Sequence, residues 1–367
     1  HDRGRIEKSS VKITTPMEKI VKHLLILSLL LVSAVLAGAP ARQPVQESDP
    51  EVIVSKSKKK VTRDYRNVFP VKTIAVTTPA SYPHSGANRL GVEMLKKGNY
   101  KVKVMPHTFL DPATLKNTNR KAHKGYASIP VEMRLEDFYK AWNDPEVEMI
   151  ICSRGGNGCF ELLEKIDWNK LKKRPEMIFM GYSDVTLILC KLLEKEGYAR
   201  PVAGPMMGSM TGLPPAMITG LKKMLSGEKV GPYKVTPLVG GDCSGKAVAG
   251  LLQRFATAKR ANYAIPTKGK IIFIEGVSLS AARVKQELLD LKKMKFFDGA
   301  AGVVFCHFTR TKEGKEIGKV IKEFAPSLGI PVYTGFPFGH TAKHQAMDLT
   351  RTAEIKNNMV IFPAVKK

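Results

Sequence analysis

The sequence predicts an α/β protein, with an N-terminal parallel-sheet α/β domain followed by a smaller C-terminal α/β domain. Short apolar runs alternate with segments of helical periodicity, which is typical of parallel βαβ units. The 367 residues suffice for two domains, because folded domains usually hold roughly 100 to 200 residues. A Pro- and Gly-rich stretch at 214–241 interrupts the alternation. We therefore place the first domain at 69–215, a connection at 216–240 and the second domain at 241–367.

The first domain is predicted to contain strands where short apolar runs occur, at 71–76, 100–105, 147–151 and 177–180. Helices are predicted between and after them, at 88–95, 130–142 and 184–195. In the segment 130–142, Met133, Phe138 and Trp142 fall near one face at helical spacing. This alternation of strands and helices predicts parallel βαβ units.

The second domain continues the alternation of strands and helices. Apolar runs predict strands at 270–275, 302–306, 331–334 and 353–362. Helical periodicity predicts helices at 279–291 and 314–324. These elements are compatible with a second α/β layer.

The N-terminal residues resemble an export signal. Residues 1–16 precede Met17, the expected start of translation, and a basic lead is followed by the apolar run Leu24 to Leu36. The run ends in small residues and is shorter than the roughly 20 residues that span a bilayer. We expect residues 1–37 to be upstream sequence and a signal peptide, and the protein to be periplasmic or extracellular. A retained membrane anchor is the alternative. Residues 38–68, polar and rich in Pro, Ser, Gln and Lys, are expected to be a linker.

The formal net charge is +26, including the run Lys56 to Lys60. Such an excess attracts a protein to anionic polymers or membrane surfaces. The sequence has no aromatic RNA-binding motif, zinc-finger spacing or recognisable basic helix, so we do not expect a nucleic-acid partner. An anionic cell-wall surface is the expected partner of this charge.

The five cysteines contain no C-x-x-C pair, so neither a metal site nor a full disulfide framework is expected. No cofactor is expected either. The segment Gly155 to Gly158 lacks the Lys-Ser/Thr of a phosphate loop and the spacing of a dinucleotide-binding loop. Ser55 and Lys58 satisfy S-x-x-K, but they lie in the charged linker, where nothing would hold a nucleophile.

Ser183 is the candidate nucleophile. It lies between an apolar strand and a helix in Gly181-Tyr182-Ser183-Asp184, the setting of a nucleophile elbow. The helix start favours developing negative charge. The match to G-x-S-x-G is partial, because Val185 occupies the position of the last Gly. The alternative is that Ser183 or Asp184 only caps the helix.

Three further features could complete a site for acyl transfer. Gly155 and Gly156, after the strand that precedes the Ser183 strand, could supply backbone N–H donors to an oxyanion. His340, on a loop rich in Pro and Gly, could take the serine proton. Glu275, at the end of an apolar strand, could orient the imidazole. The alternatives are an ordinary glycine turn, a loop histidine with local hydrogen bonds, and a surface acid.

Across roughly residues 71 to 365, the chain resembles the LD-carboxypeptidases, serine peptidases that include murein tetrapeptide carboxypeptidases and the microcin C immunity protein. Six motifs in order carry the resemblance: 154–158, 181–184, 204–206, 240–242, 273–275 and 337–340. It implies a two-domain peptidase, typically a homodimer without a metal, with its site at the domain junction. Ser183, His340 and Glu275 would form the triad, and the N–H groups of Asp184 and the Gly155–Gly156 turn would bind the oxyanion.

The resemblance predicts hydrolysis of the amide before the terminal D-amino acid of a murein tetrapeptide. Three positions near the expected pocket depart from the family pattern: Asn157 replaces an aromatic residue, Asp242 an Asn, and Gly276 a second acid. Two alternatives therefore remain open. One is a related hydrolase of a peptidyl-nucleotide or another amide, and the other is a catalytically silent protein that binds the cell wall.

Overall fold

The computed structural model describes residues 63–83, 86–111 and 128–365. The predicted signal peptide, most of the predicted linker and the S-x-x-K match lie outside these residues. Within them, no helix has the length and apolar character required to cross a membrane. The described chain contains two β-sheets flanked by helices, and the predicted two-domain α/β fold is confirmed.

The first sheet has six strands in the order β12-β5-β4-β3-β1-β2, in which the edge strand β12 is the short segment Met347–Asp348. Strands β1 to β5 are parallel, whereas β12 pairs antiparallel to β5. The parallel strands are β1 (Thr73–Thr77), β2 (Lys101–Val104), β3 (Met149–Cys152), β4 (Ile178–Gly181) and β5 (Arg200–Ala203). The helices of this half are α1 (Gly86–Lys97), α2 (Val131–Asn143), α3 (Cys159–Lys165), α4 (Thr186–Glu194) and α5 (Met207–Met210).

The second sheet has eight strands in the order β6-β14-β13-β8-β9-β10-β11-β7. Its centre, β8 to β11, is parallel, and antiparallel strands flank it on both sides. The strands are β6 (Val230–Lys234), β7 (Thr236–Val239), β8 (Cys243–Leu251), β9 (Ile271–Val277), β10 (Gly302–Thr309), β11 (Val332–Thr334), β13 (Thr352–Lys356) and β14 (Met359–Phe362). The helices are α6 (Pro215–Leu225), α7 (Leu252–Arg260), α8 (Ala281–Lys293) and α9 (Gly314–Phe324).

The structure differs from the sequence prediction in the connection and near the C-terminus. The predicted connection 216–240 forms most of helix α6 and both outer strands β6 and β7. The predicted single strand 353–362 is a hairpin, because Asn357 and Asn358 turn the chain at φ 49° and 59°. Asn tolerates this left-handed region better than most residues. The short strand β12 (Met347–Asp348) returns to the first sheet.

The predicted linker also ends earlier than expected. Tyr65 and Val68, inside the predicted range 38–68, are buried in the core beneath the first sheet. The Tyr65 hydroxyl donates a hydrogen bond to the Met210 carbonyl at 2.6 Å. An aromatic ring with a partnered hydroxyl contributes burial without leaving a polar group unsatisfied, so the compact fold includes these residues.

One hydrophobic core runs through both halves of the molecule. It contains Phe179 of β4, Phe273 of β9 and Phe255 of α7, all fully buried. Helix α4 lies between the halves and has buried side chains around most of its circumference, as expected of a helix covered on all sides. Because this interface is apolar, it fixes the position of one half against the other.

The strand ends determine where a site can form. Strands β3 and β4 are parallel neighbours, so the loops that follow them meet at the carboxyl edge of the first sheet. From the second half, the Leu251 N–H donates to the Thr186 hydroxyl at 3.1 Å. In β9, Glu275 lies beside Leu251 in register. The carboxyl ends of the central strands of both sheets therefore approach the start of α4.

Candidate active site

Ser183 lies at the end of β4, where the chain makes a sharp turn into a 3₁₀ turn (Ser183–Val185) and then α4. Its φ of 63° is in the left-handed region, which costs a residue other than Gly about 1 to 3 kcal/mol. Such strain is typical of a nucleophile elbow. Neither Ser183 nor Asp184 donates or accepts a side-chain capping bond at this helix start, so the alternative of a simple helix cap does not describe them.

The structure brings His340 and Glu275 to Ser183, although they are 157 and 65 residues from their partners in sequence. The His340 Nε2 lies 3.0 Å from the Ser183 Oγ, and its Nδ1 lies 2.8 Å from Glu275 Oε2. When Nδ1–H donates to the carboxylate, the Nε2 of a neutral ring presents its lone pair to the hydroxyl. This chain of hydrogen bonds is the arrangement that makes a hydroxyl nucleophilic.

The Glu275 carboxylate is fully buried and the His340 side chain is 9% exposed. Glu275 is thus not a surface acid, and His340 is not a loop histidine with only local bonds. The backbone of Gly339, with φ 133°, passes so close that a Cβ there would lie 3.2 Å from Glu275 Oε2. Glycine at this position lets the loop bring the imidazole against the carboxylate.

Two further rings support the imidazole. The Tyr182 ring lies 5.0 Å from His340 and 4.5 Å from His344, measured between centroids. The His344 Nδ1–H donates to the Gly339 carbonyl at 2.8 Å. Burial lowers the pKa of His344 to about 4, so this ring is neutral at ordinary pH and acts as a fixed donor to the His340 loop.

The residues 155–158, here called the glycine turn, pack directly against the nucleophile. A Cβ at Gly155 would lie 2.8 Å from both Cβ and Oγ of Ser183. The Ser81 N–H donates to the Gly155 carbonyl at 3.2 Å, and the Asn157 N–H donates to Ser81 Oγ at 3.0 Å. Because N–H and C=O point in opposite directions across a trans peptide, the N–H of Gly156 faces away from Ser81.

The N–H groups of Gly156 and Asp184 donate no hydrogen bond to any protein group within the described ranges. The same Gly155 Cβ would lie 3.3 Å from the Asp184 nitrogen, so the glycine turn and the start of the 3₁₀ turn adjoin. Two unpaired N–H donors beside a serine hydroxyl are the elements from which an oxyanion hole is built.

The Asp184 side chain has a structural environment. Its Oδ2 accepts a hydrogen bond from the Cys159 N–H at 2.9 Å, at the start of α3, and its Oδ1 forms an ion pair with Arg254 Nε at 2.6 Å. Burial raises the pKa of this carboxyl, and the neighbouring Arg254 guanidinium opposes the rise. Asp184 thus joins α3 to the turn that holds Ser183.

The sequence patterns do not mark Ser81, Tyr182, His344 or Arg254 as site residues. Tyr182 and His344 are within four residues of Ser183 and His340, and an aromatic beside the nucleophile was an available signal. Arg254 lies on α7, for which the sequence predicts no helix. Ser81 had no distinguishing pattern, because its role depends on the backbone of a distant turn.

The three departures from the family pattern lie in different places. Asn157 is at the site, where its Oδ1 accepts a hydrogen bond from Arg254 at 2.7 Å. At Gly276 a Cβ would lie 2.4 Å from the Phe308 ring, so a second acid would require that ring to move. Asp242 was expected near the pocket but precedes β8, whose nine residues separate it from the site. That strand length corresponds to roughly 30 Å.

No group of three or more His, Cys, Asp or Glu side chains in the described parts of the chain is arranged to hold a metal ion. The five cysteines are free, and four of them are buried. Burial raises the pKa of the Cys152 and Cys159 thiols well above the usual range. They therefore act as core side chains beside the glycine turn.

Two sequence models match most of the compact part of the chain. The LD-carboxypeptidase N-terminal domain matches residues 74–203, and the LD-carboxypeptidase C-terminal domain matches residues 244–355. The chain belongs to the LD-carboxypeptidase family. The resemblance drawn from the six sequence motifs is thereby confirmed.

Two relatives of this LD-carboxypeptidase come from bacteria. A probable murein peptide carboxypeptidase of Bacillus subtilis is 26% identical over 291 residues, which cover 76% of this chain and 86% of the relative. The murein tetrapeptide carboxypeptidase of Pseudomonas aeruginosa is 25% identical over 258 residues, covering 64% of this chain and 80% of the relative. These alignments span most of each relative's length.

Solved structures share the fold. Muramoyltetrapeptide carboxypeptidase from Oxalobacter formigenes aligns with a TM-score of 0.66 at 25% identity, covering 80% of this LD-carboxypeptidase and 100% of that chain. The microcin C7 self immunity protein MccF aligns with a TM-score of 0.65 at 19% identity, covering 80% and 96%. The second likeness is one of fold.

Proposed function

We propose that this LD-carboxypeptidase is a serine peptidase that hydrolyses the amide before the terminal D-alanine of a murein tetrapeptide. The observation that carries the proposal is the chain of hydrogen bonds from Ser183 Oγ through His340 to Glu275, at 3.0 and 2.8 Å. The murein peptide substrates named for the relatives from Bacillus subtilis and Pseudomonas aeruginosa support the choice of substrate.

In the proposed mechanism, Ser183 Oγ attacks the carbonyl carbon before the terminal residue while His340 Nε2 accepts the hydroxyl proton. The buried Glu275 carboxylate holds the Nδ1–H and stabilises the imidazolium that forms. The carbon–nitrogen bond then breaks, and His340 gives its proton to the leaving amine of D-alanine. Water, deprotonated by the same imidazole, hydrolyses the acyl-enzyme and restores the serine.

The negative charge on the carbonyl oxygen needs donors that are already oriented. The Asp184 N–H and the Gly156 N–H are the proposed pair. Each donor of this kind contributes roughly 3 to 4 kcal/mol to the stability of the transition state. The neighbouring start of α4 adds a favourable electrostatic field for the oxyanion.

The test is to incubate the purified protein with a murein tetrapeptide and measure the D-alanine released. Wild type should release it, and Ser183→Ala should be slower by at least about 10³-fold, as expected when a triad nucleophile is removed. Ser244→Ala is the matched control, because Ser244 is exposed at the start of β8, the strand end far from the site. No release by wild type, or equal release by Ser183→Ala, would contradict the proposal.

The two alternatives give different results in the same preparation. A hydrolase of another amide would leave the tetrapeptide intact but cleave a peptidyl-nucleotide or a related amide in a substrate panel. A silent binding protein would cleave neither and would not be labelled at Ser183 by a fluorophosphonate probe. It would still bind cell walls in a salt-sensitive manner through its positive charge.

The remaining proposals concern location and assembly. We propose that the protein is exported to the periplasm or beyond, binds the anionic cell wall through its lysines and forms a homodimer. Export predicts that the secreted protein begins after Ala37, which N-terminal sequencing would check. Dimerisation predicts a sedimentation mass twice that of the chain, and a monomer mass would exclude it.

A further inference from the structure

Arg254 connects the second half of the molecule to both parts of the proposed oxyanion site. It lies in the first turn of α7, just after β8, and its side chain is 22% exposed. The guanidinium Nη2 donates to the Gly156 carbonyl at 3.0 Å and to Asn157 Oδ1 at 2.7 Å. Its Nε forms the ion pair with Asp184 at 2.6 Å. One planar group thus reaches the glycine turn and the residue after the nucleophile.

These contacts act on the peptide planes of the glycine turn. The Gly156 carbonyl, held by Arg254, belongs to the same peptide as the Asn157 N–H, which donates to Ser81. That plane is therefore fixed from both sides. Ser81 fixes the preceding plane through the Gly155 carbonyl. If the outer plane rotated, the Asn157 N–H would lose its bond to Ser81. Ser81 also holds the preceding plane, to which the Gly156 N–H belongs, so that N–H would be held less firmly.

The first half supplies other contacts to the same turn. Ser128 Oγ donates to the Asn157 carbonyl at 2.9 Å, and Arg134 Nη1 donates to the Gly158 carbonyl at 2.8 Å. Within the described residues, Arg254 is the side chain of the second half that hydrogen-bonds to the glycine turn. The half that carries His340 and Glu275 therefore also holds one side of the turn.

We propose that Arg254 is a positioning residue that aligns the Gly156 and Asp184 N–H donors with Ser183, so that the oxyanion hole is formed only when the two halves are docked. This inference rests on the proposed peptidase function for its kinetic consequence. Asn157, which stands where the family usually has an aromatic residue, gives the guanidinium its second acceptor on the turn. This second contact therefore depends on a position where the chain departs from the family pattern.

A structural role for Arg254 is separable from this positioning role. Removing the guanidinium leaves the buried Asp184 carboxylate without its ion-pair partner, which destabilises a fold whatever happens at the turn. Replacing Asp184 by Asn as well removes the unpaired charge, while the amide oxygen can still accept from the Cys159 N–H. The double variant therefore relieves the charge defect but leaves the Gly156 carbonyl without its donor.

The experiment compares wild type, Arg254→Met, Asp184→Asn and the double variant, with Lys259→Met as the matched control on the same helix. Lys259 lies in the last turn of α7, whereas Arg254 lies in the first. Three quantities are measured: kcat and KM for D-alanine release, the unfolding midpoint, and amide hydrogen exchange of a peptide spanning 153–158.

For Arg254→Met we expect a kcat that is roughly 10- to 100-fold lower, as for other small misplacements of catalytic groups, with KM changed by less than about threefold. Amide exchange at 153–158 should become faster, and Lys259→Met should match wild type in all three measurements. In the double variant the unfolding midpoint should recover relative to Arg254→Met, while kcat stays low. If Arg254→Met does not fold, the double variant and its Asp184→Asn reference carry the comparison.

Two results would overturn the inference. One is that folded variants lacking Arg254 exchange their amide hydrogens at 153–158 at the same rate as wild type. The other is recovery of kcat by the added Asp184→Asn change, which would show that Arg254 acts by neutralising charge. Exchange requires no substrate, so it tests Arg254 even if wild type releases no D-alanine. That last outcome would count against the proposed substrate and not against the positioning role.

Discussion

Replacing Gly155 by Ala tests whether close approach of the glycine turn to Ser183 is required for catalysis. The added Cβ would lie 2.8 Å from both the Cβ and the Oγ of Ser183. Nonbonded carbons prefer roughly 3.5 to 4.0 Å, so the new methyl group is too close by about 1 Å. The Ser183 Cβ is fixed by its backbone, and no rotation of the side chain relieves the contact.

The overlap must be relieved by a movement of the turn or of the nucleophile. A displacement of about 1 Å in a catalytic group costs roughly 100-fold in rate, equivalent to about 3 kcal/mol of transition-state stabilisation. Overpacking a tight site also costs about 1 to 3 kcal/mol of folding stability. Gly155→Ala should therefore fold, with a somewhat lower stability and a much lower kcat/KM for D-alanine release.

The matched control is Gly318→Ala in helix α9. A Cβ there has no neighbouring atom within 4 Å, and Gly to Ala inside a helix stabilises by roughly 0.5 to 1 kcal/mol. This control should keep wild-type kinetics and unfold at a higher denaturant concentration. A folded Gly155→Ala protein with kcat/KM within about threefold of wild type would refute the reasoning, because the close approach would then have no catalytic importance.

Three further changes have expected outcomes. Ser183→Gly should be about 1 kcal/mol more stable than Ser183→Ala in denaturant unfolding, because Gly relieves the strain at φ 63°, and equal stabilities would contradict that strain. Glu275→Gln should lower kcat by roughly 10³- to 10⁴-fold with little change in KM, since an amide cannot stabilise the imidazolium; a loss below tenfold would exclude the role given to Glu275. His344 is buried neutral with its pKa lowered from 6.5 to about 4, mainly by burial and further by His340 and His307. Unfolding therefore takes up a proton between these values, so stability is complete above about pH 6.5 and falls by about 3 kcal/mol towards pH 4. The His344→Gln variant should lose that slope in denaturant titrations at several pH values, and an unchanged slope would assign it to other groups.

The sequence predicted the two central strand ends well because local signals were strong there. Apolar runs end at Cys152 and at Met180, and each is followed by a turn that contains glycine. Parallel neighbours bring such ends together. The structure agrees, because the two turns touch: a Cβ added to Gly155 would lie 2.8 Å from Ser183 Oγ. The choice of His340 among eight histidines depended on its loop and then on the family resemblance, because periodicity says nothing about contacts across 157 residues.

Other features depended on tertiary contacts that leave weak local traces. Strand β8 reads Cys243 to Leu251 with several small residues, including Gly250, and small residues are poor strand formers when isolated. Gly250 is needed because a Cβ there would lie 2.3 Å from the Thr186 side chain of α4. Close packing between the halves therefore requires a small residue at this position, where a β-branched or aromatic residue would have indicated a strand. The helix α7 that follows, with Arg254, gives a weak signal for a different reason: its buried face has only two large apolar side chains, Leu252 and Phe255.

The position of His340 follows from the way its loop is fastened at both ends. Before it, the loop leaves β11 of the second sheet with Phe336 and Phe338 fully buried. After it, β12 pairs with β5 of the first sheet, where buried Asp348 forms an ion pair with Arg200 at 2.6 Å. A loop anchored in two sheets can move its central residue only if one anchor yields or the halves separate. The His340 to Ser183 distance is thus set by the docking of both sheets, and the Gly-His motif only permits the close approach that this docking imposes.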